Sequence, residues 1–188
     1  AQEQALARIG QLVKSLLDLS RLELSDQLER TTFSLTALIH AVIDEFQILF
    51  QEQHLTLHCT LEHELWVHAD QDKIRRLLIN LFDNAVRYNQ PQGEIRCQAA
   101  VKNQELLLTL ANTGPGISEQ ERSRVFEQFY RCEQSRSSSH GGSGLGLTIV
   151  QRIVALHGGV VAVVDSPGGW TTFVVRLPVS CLDDPPYK

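Results

Sequence analysis

The sequence predicts an α+β fold, a two-layer α/β sandwich with a mixed sheet and helices on one face, preceded by one long helix. Three observations predict it. A leucine-rich helical stripe occupies residues 1–30. Beyond it, helical and strand-like hydrophobic periods alternate along the chain. Turn signals separate several successive strand-like runs, so hairpins punctuate the alternation and the sheet cannot be wholly parallel.

Each element has its own justification. Residues 2–29 read as a helix in which Ala5, Ile9, Leu12, Leu16 and Leu19 form a heptad seam, widened by Leu6, Val13 and Leu17. So regular a seam asks for partner helices, and the neighbouring sequence offers none of similar length. The expectation is intermolecular packing in a dimeric bundle, with docking on the chain's own domain as the competing expectation. A second helix runs from about Ser34 to Gln53, capped by the Ser34 hydroxyl. HLTLHCTL (54–61) alternates as a strand, and 65–68 is a short second strand. Asp70 starts a helix to about Tyr88, with Ile74, Leu77, Leu78, Leu81 and Phe82 facing a core. Pro91-Gln92-Gly93 turns the chain into a hairpin of 94–101 and 105–111. Residues 112–142 form a long polar loop with an apolar-aromatic island at 125–130, long enough for a lid or binding loop. Residues 145–157 are helical, and Gly158-Gly159 ends them. Strands at 160–164 and 171–177 flank the turn SPGG. The division expected is a helix of another domain (1–30), a main domain (31–180) and a frayed tail (181–188).

Composition narrows the function. With 43% apolar and 21% charged residues, the chain can bury a core. A net charge of −5 with no basic tract argues against nucleic acid. No apolar run is long enough to span a bilayer, and no signal peptide opens the sequence. Any membrane attachment would come from other segments, since the start at AQEQ, without Met, reads as a fragment of something longer. Cys59, Cys97, Cys132 and Cys181 include no CxxC spacing, which fits free thiols in the cytoplasm. His54, His58, His63 and His68 fit exposed strand positions better than a metal site.

Three stretches carry chemistry. In NLFDNAVRYN, Asn80 and Asn84 share a helical face that Arg87 extends, with Tyr88 alongside. Asn is a poor mid-helix residue because its amide competes for main-chain hydrogen bonds. Two in register suit magnesium through their oxygens, and the guanidinium suits phosphate. The competing account is a satisfied polar helix face. In ANTGPGI, Gly114 and Gly116 flank Pro115 in a turn that lets main chain approach a ligand, with Asn112 pointing into the cavity. In GGSGLGLTIV, Gly142, Gly144 and Gly146 alternate at a helix start, where free N–H groups favour an anion. The pattern lacks the preceding strand of a dinucleotide fingerprint and the GK[ST] of a P-loop.

Taken together, in this order, the motifs resemble the ATP-binding domain of sensor histidine kinases, within the superfamily of gyrase-type ATPases. NLFDNAVRYN is similar to that family's N box, ANTGPGI to its G1 box, VFEQFYR to its F box, GGSGLGLTIV to its G2 box and SPGGWTTFVVRLP to its G3 strand. The likeness covers about residues 34–178, and the first helix resembles the second helix of the dimerisation and phosphotransfer domain. The resemblance implies the histidine-kinase/gyrase-type fold, ATP and Mg2+ as ligands, a homodimer in the intact protein and a response-regulator receiver domain as partner. By it, Asn80 and Asn84 hold magnesium and the phosphates, Arg87 touches a phosphate and Tyr88 packs on adenine. Gly114, Gly116 and Ile117 close over the base. Phe126 and Phe129 anchor a mobile lid, with Tyr130 and Arg131 near the nucleotide. Gly142, Gly144, Leu145, Gly146 and Leu147 wrap the phosphates.

Two residues depart from the pattern. Asn112 stands where the family usually has Asp, which predicts weaker or less selective adenine binding. Trp170 stands where Gly is usual, and reads as a rim residue. No H box of the family's kind is present, so the phosphate-accepting histidine is expected outside this stretch. Among the existing histidines, His40 has no assigned role, His140 lies in the lid and His157 ends a helix. Two other readings stay open: a hydrolytic ATPase of the same superfamily, with Asp83 near the N box, and a non-catalytic scaffold.

Overall fold

The computed structural model describes residues 2–24, 27–61, 64–132, 142–164 and 168–182. Helix α1 (Gln2–Leu24) leads into β1 (Arg30–Ser34), α2 (Leu35–Glu52), β2 (Thr56–Leu61), β3 (Trp66–Asp70) and α3 (Gln71–Arg87). There follow β4 (Glu94–Lys102), β5 (Glu105–Thr113), a short 3-10 turn (Arg124–Phe126), α4 (Gly146–Leu156), β6 (Val160–Val164), β7 (Trp170–Pro178) and β8 (Ser180–Leu182).

Strands β2-β4-β5-β7-β6 form a five-stranded sheet in that order. The β2/β4 pair is parallel and the others antiparallel, which makes the sheet mixed as expected. Side chains alternate across the pleat. Ile95, Cys97 and Ala99, Leu106, Leu108 and Leu110, and Phe173, Val175 and Leu177 are buried on the helix side. Arg96, Gln98 and Arg176 point to solvent. Helices α2, α3 and α4 cover the buried face through Ile39, Val42, Leu77, Leu81, Phe82, Ile149 and Ile153. Phe82 is central, with ring centroids 5.8 Å from Phe46 and 6.4 Å from Phe50.

A second, three-stranded antiparallel sheet, β1-β3-β8, was not expected. The long first helix ends at Leu24 rather than 29, and the chain enters β1, which pairs Phe33 with Val67. The stretch read as a frayed tail gives Cys181 and Leu182 to β8, opposite Val67 and Trp66. Strands β1 and β8 are short, and their partner β3 is distant in sequence, so no local period announces them.

The apolar stripe of α1 is divided. Leu19 and Leu22 are buried at 5% and 3% exposure, in the main core. Asp18 pairs with Arg76 of α3 at 2.9 Å, and Arg152 Nε of α4 donates to the Leu22 carbonyl. Leu6, Ile9, Leu12, Val13, Leu16 and Leu17 remain exposed. The competing expectation of docking on the chain's own domain therefore holds for the end of the helix, and the upper seam is open.

Asp70 fixes the start of α3. Its carboxylate accepts from Lys73 N at 3.0 Å, Lys73 Nζ at 2.7 Å and Glu29 N at 3.0 Å. Behind it, buried His157 closes α4: Nδ1 meets the Ile153 carbonyl at 2.8 Å, and Nε2 accepts from Asp70 N at 3.3 Å. Both ring nitrogens are thus committed in the neutral form. Cys59, Cys97 and Cys132 are free thiols, as expected. Among the described residues no helix is long and apolar enough to cross a membrane, and no group of three or more His, Cys, Asp or Glu could hold a metal.

Candidate nucleotide-binding site

The ends of α3 and β5 and the start of α4 converge on one cleft, the concave kind of place where small molecules bind. Asn80, Asn84, Arg87 and Tyr88 line it from α3, Asn112, Gly116 and Ile117 from β5 and its turn, and Tyr130 and Arg131 from the loop. Gly142, Gly144, Gly146 and Leu147 line it from the start of α4. The three separate motifs therefore make one site.

The α3 face is built by helical spacing. Asn80 Nδ2 donates to the Arg76 carbonyl at 2.8 Å, one turn back. Its Oδ1 faces the first turn of α4, where a Cβ on Gly146 would lie only 3.1 Å away. Asn84 lines the cleft one turn further on. Arg87 is held by Asp83, at 3.0 and 3.2 Å from the two carboxylate oxygens. Asp83 itself lines the cleft beside Asn84. The reason is angular: neighbouring helix positions are only about 100° apart, and a broad cleft accepts both.

The turn after β5 crosses close to the end of α3. A Cβ on Gly114 would sit 2.3 Å from the Tyr88 carbonyl oxygen, so only glycine permits this approach. Gly114 thus shapes the wall without lining the cleft. Asn112 is buried, and its Nδ2 donates to the carbonyls of Thr113 at 2.9 Å and Tyr88 at 3.5 Å. Both donors are spent on main chain, and Oδ1 is left as the acceptor.

The glycine-rich stretch brings the α4 N-terminus to the cleft. Gly144 has φ of +71°, and a Cβ there would meet the Phe129 main chain at 2.8 Å. Phe129 N–H donates to the Gly144 carbonyl at 3.0 Å. Leu145, expected among the phosphate-wrapping residues, is wholly buried in the core and anchors the helix start instead. Phe126 is buried edge-on to Phe173, with centroids 6.4 Å apart, and Thr148 Oγ1 donates to its carbonyl. Phe129, expected as a second anchor, is 55% exposed. Its φ of +62° turns the chain so that main chain, not the ring, meets the glycine loop. His63 and His140 lie outside the described residues.

Several lining residues were not singled out in the sequence: Ser15 of α1 and Cys132, which lie outside the motifs, and Val125, Ser143 and Thr171 within them. Thr171 was accessible through register, because it pairs with Asn112 across β5 and β7. Burial and the nearby Glu121 carboxylate push the Cys132 thiol up to about 11, so it stays protonated near neutrality. Trp170 carries the Arg96 guanidinium on its ring at 4.0 Å, on the solvent side of the sheet.

Known proteins share this fold. Residues 69–180 match the family described as histidine kinase-, DNA gyrase B- and HSP90-like ATPase. The signal transduction histidine-protein kinase BaeS of Escherichia coli is 33% identical over 177 residues, covering 92% of this chain and 38% of BaeS. Among solved structures, full-length ShkA in complex with AMPPNP superposes with a TM-score of 0.80 at 26% identity, covering 91% of this chain and 36% of that one. Histidine kinase ThkA in complex with the response regulator protein TrrA gives a TM-score of 0.77 at 26% identity, over 95% of this chain and 49% of that one. The chain thus spans well under half the length of BaeS. The shared fold, the match over more than half of the chain and the joined motifs place it in the histidine kinase-, DNA gyrase B- and HSP90-like ATPase family.

Proposed function

We propose that the cleft binds Mg–ATP and that the chain is the catalytic ATP-binding part of a two-component sensor histidine kinase. One observation carries this reading: the asparagine face of α3, the Pro115–Ile117 turn and the glycine-rich N-terminus of α4 line a single cleft. The donor set fits magnesium. Asn80 and Asn84 offer neutral amide oxygens, which suit a hard cation that keeps several waters and binds mainly through substrate phosphates. Bound there, the ion would neutralise charge on the phosphates.

The chain's own residues divide the remaining work. The N–H groups at the start of α4 favour phosphate oxygens. Asn112 Oδ1 accepts from the adenine amino group, while Tyr88 and Ile117 pack against the base. Arg87, steadied by Asp83, and Arg131 supply positive charge at the rim. The γ-phosphoryl group passes to an imidazole nitrogen of a histidine outside residues 1–188; the P–O bond to ADP breaks as the P–N bond forms. It then moves to an aspartate on a response regulator, as suggested by the ThkA–TrrA complex. The open seam of α1 supports a homodimer, and the free thiols support a cytoplasmic setting.

Calorimetric titration with a non-hydrolysable ATP analogue tests the reading. Binding should require magnesium and weaken at least about tenfold in Asn84→Ala. Absence of binding at millimolar analogue would overturn it in favour of a scaffold. A hydrolytic ATPase is the second reading, favoured by the Asp83 carboxylate in the cleft. Sustained phosphate release by the isolated chain, lost in Asp83→Asn, would select it.

A further inference from the structure

We propose that Asn89 and Thr113, which do not line the cleft, act as a positioning pair that holds its two adenine-side walls in register. The proposal rests on the nucleotide reading of the cleft. Asn89 follows Tyr88 at the end of α3, and Thr113 follows Asn112 at the end of β5. Tyr88 and Asn112 line the cleft, and the residue after each turns away from it. Those two outward residues meet each other: Thr113 Oγ1 donates to Asn89 Oδ1 at 2.6 Å.

The pair is tied on both sides. Thr113 Oγ1 accepts from Glu94 N at 2.8 Å, and Asn89 Nδ2 donates to the Glu94 carbonyl at 3.2 Å. Gln90 N donates to Asn89 Oδ1 at 2.9 Å. One residue before Glu94, the space is full. A Cβ on Gly93 would lie 2.1 Å from Asn89 Oδ1 and 2.3 Å from Thr113 Oγ1, so glycine is the residue that lets the pair close. The start of β4 thus serves as a fixed post to which both the helix end and the strand end are fastened.

The consequence for the site is geometric. Tyr88 and Asn112 sit on different elements, joined by the 3.5 Å contact from Asn112 Nδ2 to the Tyr88 carbonyl. That contact is long, and a small shift of the α3 end would open it. The Asn89–Thr113 bond is short and its hydroxyl is satisfied as both donor and acceptor. It therefore sets the spacing at which the longer contact survives and at which Asn112 presents Oδ1 to a base.

The test uses the whole 188-residue chain, its melting temperature and its affinity for a non-hydrolysable ATP analogue with magnesium. Thr113→Val keeps the shape and removes the hydroxyl; affinity should fall about tenfold. Thr113→Ser should restore it to within about twofold, since the hydroxyl returns. Asn89→Ala, which also removes the bonds to Glu94 and Gln90, should weaken affinity at least as much as Thr113→Val, and the double variant should lose less than the sum of the two, because one bond is shared. Ser34→Ala, which removes a remote helix cap, supplies a stability control: its melting temperature should fall while affinity is unchanged. Unchanged affinity in Thr113→Val, an equal loss in Ser34→Ala, or additive losses in the double variant would each overturn the proposal while leaving the nucleotide reading intact. Failure of the unaltered chain to bind would overturn both. Either single variant carries the test if the other does not fold.

Discussion

Asn112 shows how one residue can serve folding and recognition with different atoms. Its Nδ2 satisfies two main-chain carbonyls, and its Oδ1 is left for a ligand. A carboxylate in the same place would face those carbonyls without a proton to give. Asn112→Asp is expected to lower the melting temperature of the nucleotide-free chain while raising preference for ATP over GTP in competition; a raised melting temperature would refute the donor account. His157 carries a second expectation at this scale. Burial holds its imidazole below the ordinary value, with Asp70, Lys73 and Arg30 the charged groups around it. The unfolded chain then binds the proton more readily. Stability is full above the ordinary histidine value near 6.5 and falls as pH drops toward the lower folded one. Urea midpoints measured from pH 7.5 to 5 should decline, and His157→Gln should flatten that slope. The asparagine pair, the Gly114 turn and the glycine-rich loop were legible because unusual residues stand out against a helical or strand period. Ser15, Val125 and Cys132 were not, because nothing in a serine, valine or cysteine distinguishes a cleft wall from any other surface.

At the level of the element, the central pieces follow from pattern. Helices α2 and α3 carry strong apolar stripes and begin at Ser34 and Asp70, whose side chains cap them as expected. Asp70→Ala should cost about 2 kcal/mol in chemical denaturation, since it removes a cap and an ion pair together. Burial opposes the ionised Asp70, but hydrogen bonds from Lys73 and Glu29 and the Lys73 charge outweigh it and hold the carboxyl below its ordinary value. Its contribution is therefore present above the unfolded value near 3.8 and lost on further acidification. Of the two phenylalanines expected to anchor the loop between β5 and α4, Phe126 is buried and Phe129 is exposed. Phe126→Ala should cost about 3 kcal/mol and weaken nucleotide binding, whereas Phe129→Ala should change stability by less than about 0.5 kcal/mol. Equal effects in thermal melts would contradict the exposure difference. Composition could not separate the two phenylalanines, since the sign of φ at Phe129 decides which way its ring points.

On the scale of the whole molecule, α1 belongs to two environments. Its last turns are clamped by Leu19, Leu22 and the Asp18–Arg76 pair, and its upper turns present bare leucines. Sedimentation of the chain should show concentration-dependent self-association that Leu12→Glu with Leu16→Glu abolishes, without loss of nucleotide affinity. Ser15 reaches the cleft, so the helix that would meet a partner also meets the nucleotide site.

The small sheet has a consequence for how the chain comes into being. Strand β3 pairs on one side with β1 and on the other with β8, which follows every other described element along the chain. Until Ser180–Leu182 emerges, the edge at Trp66–His68 stays open to any passing strand. Synthesis halted before residue 180 should thus release a chain with a formed cleft but a sticky flank, prone to aggregate rather than to misread its nucleotide.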